Sequence, residues 1–204
     1  MLTLYLVRHG QTEWNVMHKM QGRGNGELTE KGVADAKALA RRLADTPIDK
    51  IYSSSSKRAY ETAKLIDSDR HIPLETSDDL QEMYFGEWDG QFVDDVKARY
   101  PQEYETFWEA PHLFEGVNGE TFSDVQKRAE KALKTILESE KDGSNVLVVT
   151  HSIFLRVLLA TIKNLPLSDV FKQNRPGNTS LTKVIVDGES LHIEFEGCVK
   201  HIQE

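Results

Sequence analysis

The chain has 204 residues, 39% hydrophobic and 28% charged, the balance of one ordinary globular domain with a substantial core rather than of a disordered chain. A formal charge of -8 argues against a nucleic-acid binder and requires that any anionic ligand be drawn in by a local cationic pocket. With a single cysteine (Cys198), no apolar run near the ~18 residues of a membrane span and no charged-then-apolar leader, the sequence predicts a soluble, cytoplasmic protein without disulfides or membrane partners.

Leu2, Leu4, Tyr5, Leu6 and Val7 form a short apolar run that predicts a buried strand, and it stops abruptly at Arg8-His9-Gly10. Residues 10–28, rich in Gly, Asn and Gln, read as a long loop of the kind that carries function. Thr29 caps a helix whose Val33, Ala36, Leu39, Ala40 and Leu43 follow three-four spacing. Residues 48–52 read as a second strand running into Ser53-Ser54-Ser55-Ser56, and a helix follows from about Lys57. A short strand is expected over 73–75.

The alternation then breaks. Residues 84–122 predict two short helices, over 92–100 and 101–110, in a stretch crowded with aromatic side chains. An amphipathic helix over 121–140 carries Val125, Ala129, Ala132, Leu133, Ile136 and Leu137. Residues 145–149 are the strongest buried-strand signal, ending at Thr150-His151-Ser152, and a helix continues over 153–162. Segments 180–186 and 191–195 around Asp187-Gly188 read as a hairpin. Together these elements predict a single α/β domain over 1–204, a three-layer α/β/α sandwich whose mostly parallel sheet carries an antiparallel edge strand.

Arg8 and His9 follow the first strand, Arg58 the second and His151 the late one. In a parallel sheet these strand ends open on one edge, the place where such folds bind ligands. Each residue alone reads more readily as structural than as catalytic. Two arginines and two histidines at three strand exits are costly to bury together unless an anion joins them. With no cysteine nearby, thiolate and zinc chemistry are disfavoured, whereas forked guanidinium donors and imidazoles suit a phosphate.

Four motifs in order then carry a resemblance. Leu6-Val7-Arg8-His9-Gly10-Gln11-Thr12-Glu13-Trp14-Asn15 resembles the signature of the histidine phosphatase superfamily, which includes the cofactor-dependent phosphoglycerate mutases. Ser53 to Ala63 is similar to that family's second-arginine motif, Glu82 to Gly90 to its acid motif, and Val148-Val149-Thr150-His151 to its second-histidine motif. Gln21-Gly22 and Leu28 to Gly32 are similar to its phosphate loop and first helix start. The resemblance implies a phosphoglycerate mutase-like fold with His9 as nucleophile, Arg8, Arg58 and His151 as phosphate clamps, and Glu82 as the proton donor and acceptor. It also implies Asn15, Gln21 and Gly22 as phosphate contacts, with no metal and no cofactor. An apolar wall of Tyr84, Phe85 or Trp88 is expected to keep Glu82 protonated.

Beyond these motifs, 107–114 followed by 119–122 resembles the PhoE-type broad-specificity phosphatases of bacilli. Residues 84–122 are therefore expected to form a helical cap on the substrate side, with Trp88 and Trp108 touching substrate. The implied activity is hydrolysis of small phosphomonoesters to inorganic phosphate by a monomer or small homo-oligomer. Alternatives are a phosphoglycerate mutase, a pathway-specific phosphatase such as one for α-ribazole phosphate, and a non-enzymatic phospholigand-binding module. Glu87 and Asp89, flanking Trp88, rank below Glu82 as the acid on the motif, His18, His71, His112, His192 and His201 read as surface or loop residues, and Cys198 as packing. Asn178-Thr179-Ser180 fits either a stretch near the pocket or a turn.

Overall fold

Alternation of side chains along two strands, β1 (Leu2–Arg8) and β4 (Asn145–Thr150), builds two separate cores. Leu4, Leu6, Val146 and Val148 point into one, and Val7, Leu147 and Val149 into the other. The computed structural model describes residues 1–202. With β2 (Lys50–Ser54), β3 (Leu74–Ser77), β5 (Leu181–Asp187) and β6 (Ser190–Cys198), these strands form one sheet in the order β3-β2-β4-β1-β5-β6. The first four in that order run parallel, β5 is antiparallel to β1, and β6 is antiparallel to β5.

Helices cover both faces, as a sheet buried on two sides requires. The first core takes α6 (Phe122–Ser139) and α7 (Ser152–Ile162), through Val125, Ala129 and Phe154. The second takes α2 (Glu30–Arg42) and α3 (Lys57–Asp67), through Leu39, Ala59, Ala63 and Ile66. Two short helices, α4 (Val93–Arg99) and α5 (Pro101–Glu109), lie where the alternation breaks. The three-layer sandwich therefore stands as expected, with two antiparallel strands at one side.

The loop over 10–28 contains one turn of helix, α1 (Glu13–Val16), which the composition did not suggest. Thr12 accepts from the Asn15 amide while the Asn15 side chain accepts from the Thr12 amide, a capping box that closes the turn. Close approach anchors the rest of the loop. A Cβ at Gly32 would stand 2.2 Å from the Gln11 carbonyl oxygen, so only glycine lets α2 start against the segment that follows His9.

One expected substrate contact is corrected by the packing. Trp88 is fully buried, with ring centroids of Phe114 at 5.3 Å, Phe107 at 5.7 Å, Tyr100 at 6.1 Å and Tyr104 at 6.2 Å. Its indole is the hub of the aromatic packing rather than a substrate wall, because 86–88 turns inward as one short 3-10 turn. Trp88→Ala is expected to destabilise the fold by about 3–5 kcal/mol. A denaturant titration showing a loss below about 1 kcal/mol would remove Trp88 from that role.

Candidate active site

Parallel pairing sets the geometry. Arg8 lies opposite Thr150, and the His9 amide donates to the Thr150 carbonyl at 2.9 Å, so His9 and His151 leave the sheet side by side. Their ring centroids are 5.2 Å apart. The Gly10 amide donates to the Thr62 hydroxyl on α3 at 2.9 Å, which fixes the turn just after His9. Nδ1 of His9 stands 2.7 Å from the Gly10 carbonyl oxygen. A carbonyl only accepts, so in the neutral ring Nδ1 carries the proton and Nε2 holds the lone pair.

Burial, reinforced by the guanidiniums of Arg58 and Arg8, pushes the His9 pKa well below its ordinary 6.5. Burial and then Arg58, His9 and Arg8 push His151 the same way. Both imidazoles are therefore neutral at neutral pH, the state a nucleophile requires. Nε2 of His151 meets the Ser54 hydroxyl at 2.8 Å, while its Nδ1 has no partner among the described residues.

The two depressed pKa values set the sign of a stability effect. Above pH 6.5 both histidines are neutral folded and unfolded alike, and the full stability is present. Below 6.5 the unfolded chain takes up protons that the folded one refuses, so stability is lost as pH falls toward the folded values. Below pH 6.5 the loss is expected to approach about 1.4 kcal/mol per pH unit per histidine. Denaturant titrations from pH 7.5 to 5 check this, and a flat profile would contradict it.

Arg58 is fully buried. It donates from Nη2 to the Gly22 carbonyl at 2.7 Å and from Nη1 to the Gly24 carbonyl at 2.8 Å and the Asn25 side chain at 3.2 Å. Arg8 donates from Nη1 to the Pro176 carbonyl at 2.9 Å. Burial draws the pKa of each guanidinium down to about 10, with Arg175 adding to the effect on Arg8, and both remain charged. In each, Nε is buried with no partner among the described residues, and so is Nε2 of Gln21. Gln21 arrives at that state because its Oε1 already accepts from Thr12 and Asn15. Three buried N–H donors, on Arg8, Arg58 and Gln21, are thus left without a partner beside His9, and Nδ1 of His151 is a fourth in the tautomer that places its proton there.

Glu82 sits on the same cleft, nearly buried. Its Oε1 accepts from the Met83 amide at 2.9 Å and the Phe154 amide at 3.0 Å, and its Oε2 from the Ile153 amide at 3.0 Å. The expected apolar wall is therefore replaced by amides at the start of α7. Tyr84 is exposed, Trp88 lies in the core, and of the three only Phe85 lines the cleft. Arg128 clamps the segment that carries the acid, donating to the carbonyls of Asp79, Gln81 and Glu82.

The cleft holds about 320 Å³ and is walled by Arg8, His9, Asn15, Gln21, Glu82 and Trp108 among the expected residues. Arg58 and His151 lie close to His9, fully buried and not on the cleft wall. Gly22 is off the wall and supports the site differently. Its carbonyl accepts from Arg58, and its amide, like those of Arg23 and Gly24, donates to Asp89. Asp89 thus shapes the loop, and Glu87 accepts from Tyr100 and Asn118 away from the cleft. Asn178 belongs to the site, donating to the His9 carbonyl at 3.0 Å and to Asn15 at 3.2 Å.

Sequence reasoning missed His18, Lys19, Arg156, Phe171 and Arg175, which also line the cleft. His18 is brought there by the unforeseen turn of α1, after which it adopts a left-handed φ of 55°. A signal did exist for Arg156, the lone charge in the otherwise apolar or uncharged α7. Cys198 lies half-buried with the Arg42 guanidinium 3.3 Å from its sulfur. Among the described residues, no helix is long and apolar enough to cross a membrane.

Comparison with known proteins extends the likeness over nearly the whole chain. Bacillus stearothermophilus YhfR has a solved structure that superposes with a TM-score of 0.96 at 41% identity, covering 100% of both chains. Phosphoserine phosphatase 1 of Hydrogenobacter thermophilus is 33% identical over 168 residues, 82% of this chain and 79% of its own. The adenosylcobalamin/alpha-ribazole phosphatase of Salmonella typhimurium is 32% identical over 170 residues, 83% of this chain and 84% of its own. The family model of the histidine phosphatase superfamily (branch 1) spans residues 4–198, and the chain belongs to that family.

Proposed function

We propose that the protein hydrolyses small phosphomonoesters through a phosphohistidine on His9, with a broad choice of ester. What carries this reading is the tautomer of His9, proton on Nδ1 and lone pair on Nε2, beside the buried donors of Arg8, Arg58 and Gln21 that lack partners. In the first step Nε2 attacks phosphorus and the ester P–O bond breaks, its electron pair leaving on the alcohol oxygen, which takes a proton from Glu82. In the second, water attacks phosphorus, its proton passes to Glu82, and the P–N pair returns to Nε2. Arg8, Arg58 and His151 hold the equatorial oxygens, whose charge spreads in the loose transition state.

Specificity rests on the wall contributed by 84–122, which we propose acts as a cap continuous with a single domain. Phe85, Phe107 and Trp108, joined by Phe171, line the cleft and bury the leaving group without a unique hydrogen-bond pattern. Apolar burial of that kind grades substrates by a few kcal/mol at most, which supports a broad range.

A panel of phosphomonoesters, with phosphate release measured, tests this. Turnover of several unrelated esters, inhibited by vanadate, is the expected result. Rapid isomerisation of 3-phosphoglycerate with its bisphosphorylated cofactor and little free phosphate would make the protein a mutase. One ester preferred by several orders of magnitude would make it a dedicated phosphatase, and no turnover at all from pH 4 to 8 a binding module.

A further inference from the structure

Ser56 occupies the place of a helix cap and does not cap. It precedes α3 in extended conformation, where a serine hydroxyl ordinarily accepts from an amide of the first turn. Thr29 before α2 and Thr121 before α6 do accept in this way. The Ser56 hydroxyl turns instead to the Ser54 hydroxyl at 3.1 Å, with Nε2 of His151 a further neighbour at 3.4 Å. Ser54 ends β2, whose pairing places Ser53 opposite Val149 on β4, so Ser54 and His151 leave adjacent strands at the same edge. Ser54, Ser56 and His151 are all buried, and the two hydroxyls have no part in the phosphoryl-transfer steps.

Counting protons fixes the direction of each bond. A hydroxyl donates once and accepts up to twice. The Ser54 oxygen accepts from the Ser56 amide at 3.2 Å, an N–H that can only donate. Its two other partners are the Ser56 hydroxyl and, at 2.8 Å, Nε2 of His151. One of these accepts from Ser54 and the other donates to it. If Nε2 donated, Ser54 would donate to Ser56, whose own proton would find no acceptor among the described residues. Nδ1 of His151 would then be a buried lone pair without a donor as well. In the reverse direction Ser56 donates to Ser54 and Ser54 to Nε2, and every serine proton is paired. Only the N–H of Nδ1 stays open. An unpaired buried polar group costs more than a hydrogen bond gains, so the arrangement with one open group prevails over the one with two.

We propose that Ser54 and Ser56 are positioning residues for phosphoryl transfer: their hydroxyls form a relay, from Ser56 to Ser54 to Nε2 of His151, that keeps the His151 proton on Nδ1 for a phosphoryl oxygen. The ring is neutral and has a single N–H to place, so the nitrogen that carries it decides the sign of the contact. On Nδ1 the proton donates to an equatorial oxygen. On Nε2 it would leave a lone pair against that oxygen. His9 and His151 thus share one tautomer, reached by opposite means. A carbonyl accepts from Nδ1 of His9, and a hydroxyl donates to Nε2 of His151. With ring centroids 5.2 Å apart, the pair sets a lone pair and a donor on the same phosphoryl group. The inference rests on the phosphohistidine reading and adds what holds the donor beside the nucleophile.

Nitrogen NMR of isotope-labelled histidine rings at neutral pH, with His151 assigned by its loss in His151→Gln, tests the relay without any substrate. The wild type is expected to show a pyrrole-type Nδ1 and a pyridine-type Nε2 for His151. A pyrrole-type Nε2 would overturn the inference. Ser56→Ala leaves Ser54 to donate alone and should keep the tautomer, with kcat down less than about threefold. In Ser54→Ala, Ser56 donates across a longer gap, and kcat should fall about tenfold with partial mixing of the tautomers. The double variant Ser54→Ala/Ser56→Ala removes both donors and should mix the tautomers fully. Its kcat should fall about ten- to a hundredfold on alkyl and aryl phosphates alike, because every ester shares the equatorial oxygens. Ser54→Thr keeps the hydroxyl and should retain the tautomer and most of the rate. A pure Nδ1–H tautomer in the double variant, or mixed tautomers with wild-type kcat, would overturn the proposal. If a denaturant titration shows the double variant unfolded, Ser54→Ala is judged by the same two outcomes. The expected wild-type tautomer with no turnover of any phosphomonoester would sink the phosphatase and keep the relay as a phosphate-binding device. Inorganic phosphate should then bind the double variant about tenfold more weakly by calorimetry. Turnover with the His151 proton on Nε2 would do the reverse.

Discussion

His9→Ala is expected to lower turnover of every phosphomonoester by about four orders of magnitude or more and to abolish an acid-labile protein-bound phosphate. The size follows from what the ring does. Nε2 is the one lone pair held toward phosphorus, its orientation fixed by the Nδ1 bond to the Gly10 carbonyl and its neutrality by burial beside Arg8 and Arg58. Alanine leaves the binding donors of Arg8, Arg58 and Gln21 in place, so phosphate should still bind. The fold should survive as well, since the backbone at this point is held by the His9 amide on Thr150 and the Gly10 amide on Thr62. A second readout tells loss of the nucleophile from general damage. Removing one of the suppressed histidines should reduce the acid-side slope of stability by about 1.4 kcal/mol per pH unit. Quenched labelling that still finds acid-labile phosphate on the variant would assign the nucleophile elsewhere.

What made His9 legible in the sequence was position along a strand. β1 and β4 announce themselves by apolar residues on both faces, and a polar side chain just past such a strand has only the sheet edge to occupy. Arg58 and Glu82 needed the order of motifs, because nothing local to either shows that it reaches the same edge. The cap was legible as an interruption and no further. In 84–122 the aromatic residues follow neither period two nor period 3.6, so no rule sorts Trp88 into the core and Trp108 onto the cleft. The partners of Glu82 were out of reach for a different reason. Its amide donors at Ile153 and Phe154 lie 71 and 72 residues away, and backbone N–H groups leave no mark in a sequence. Arg175 sits in a segment without periodicity, which the Arg8 bond to the Pro176 carbonyl and the Asn178 bond to the His9 carbonyl tie to the site.

Glu82→Gln is the variant whose effect should depend most on the substrate. A carboxyl that protonates the leaving oxygen is worth about a hundred- to ten-thousand-fold when that oxygen belongs to an alcohol, and little when it belongs to an activated phenol that departs as the anion. For alkyl phosphates, kcat/KM should therefore fall by about two to four orders of magnitude, and for p-nitrophenyl phosphate by less than about tenfold. The same carboxylate then takes the proton from water, so the second step slows for every substrate. With p-nitrophenyl phosphate the variant should release one equivalent of phenolate in a burst, then stall with phosphate held on His9. With alkyl phosphates no burst should appear, because the first step is already slow. Glutamine also carries a structural cost. Oε1 of Glu82 accepts two amides and Oε2 one, so the new NH₂ is best placed at the Oε2 position, facing the Ile153 amide donor. Two donors face to face cost about 1–3 kcal/mol, a loss of stability that a parallel denaturant titration separates from the loss of rate. Equal losses of kcat/KM on alkyl and aryl esters, with no burst, would move the proton transfer to another group on the cleft.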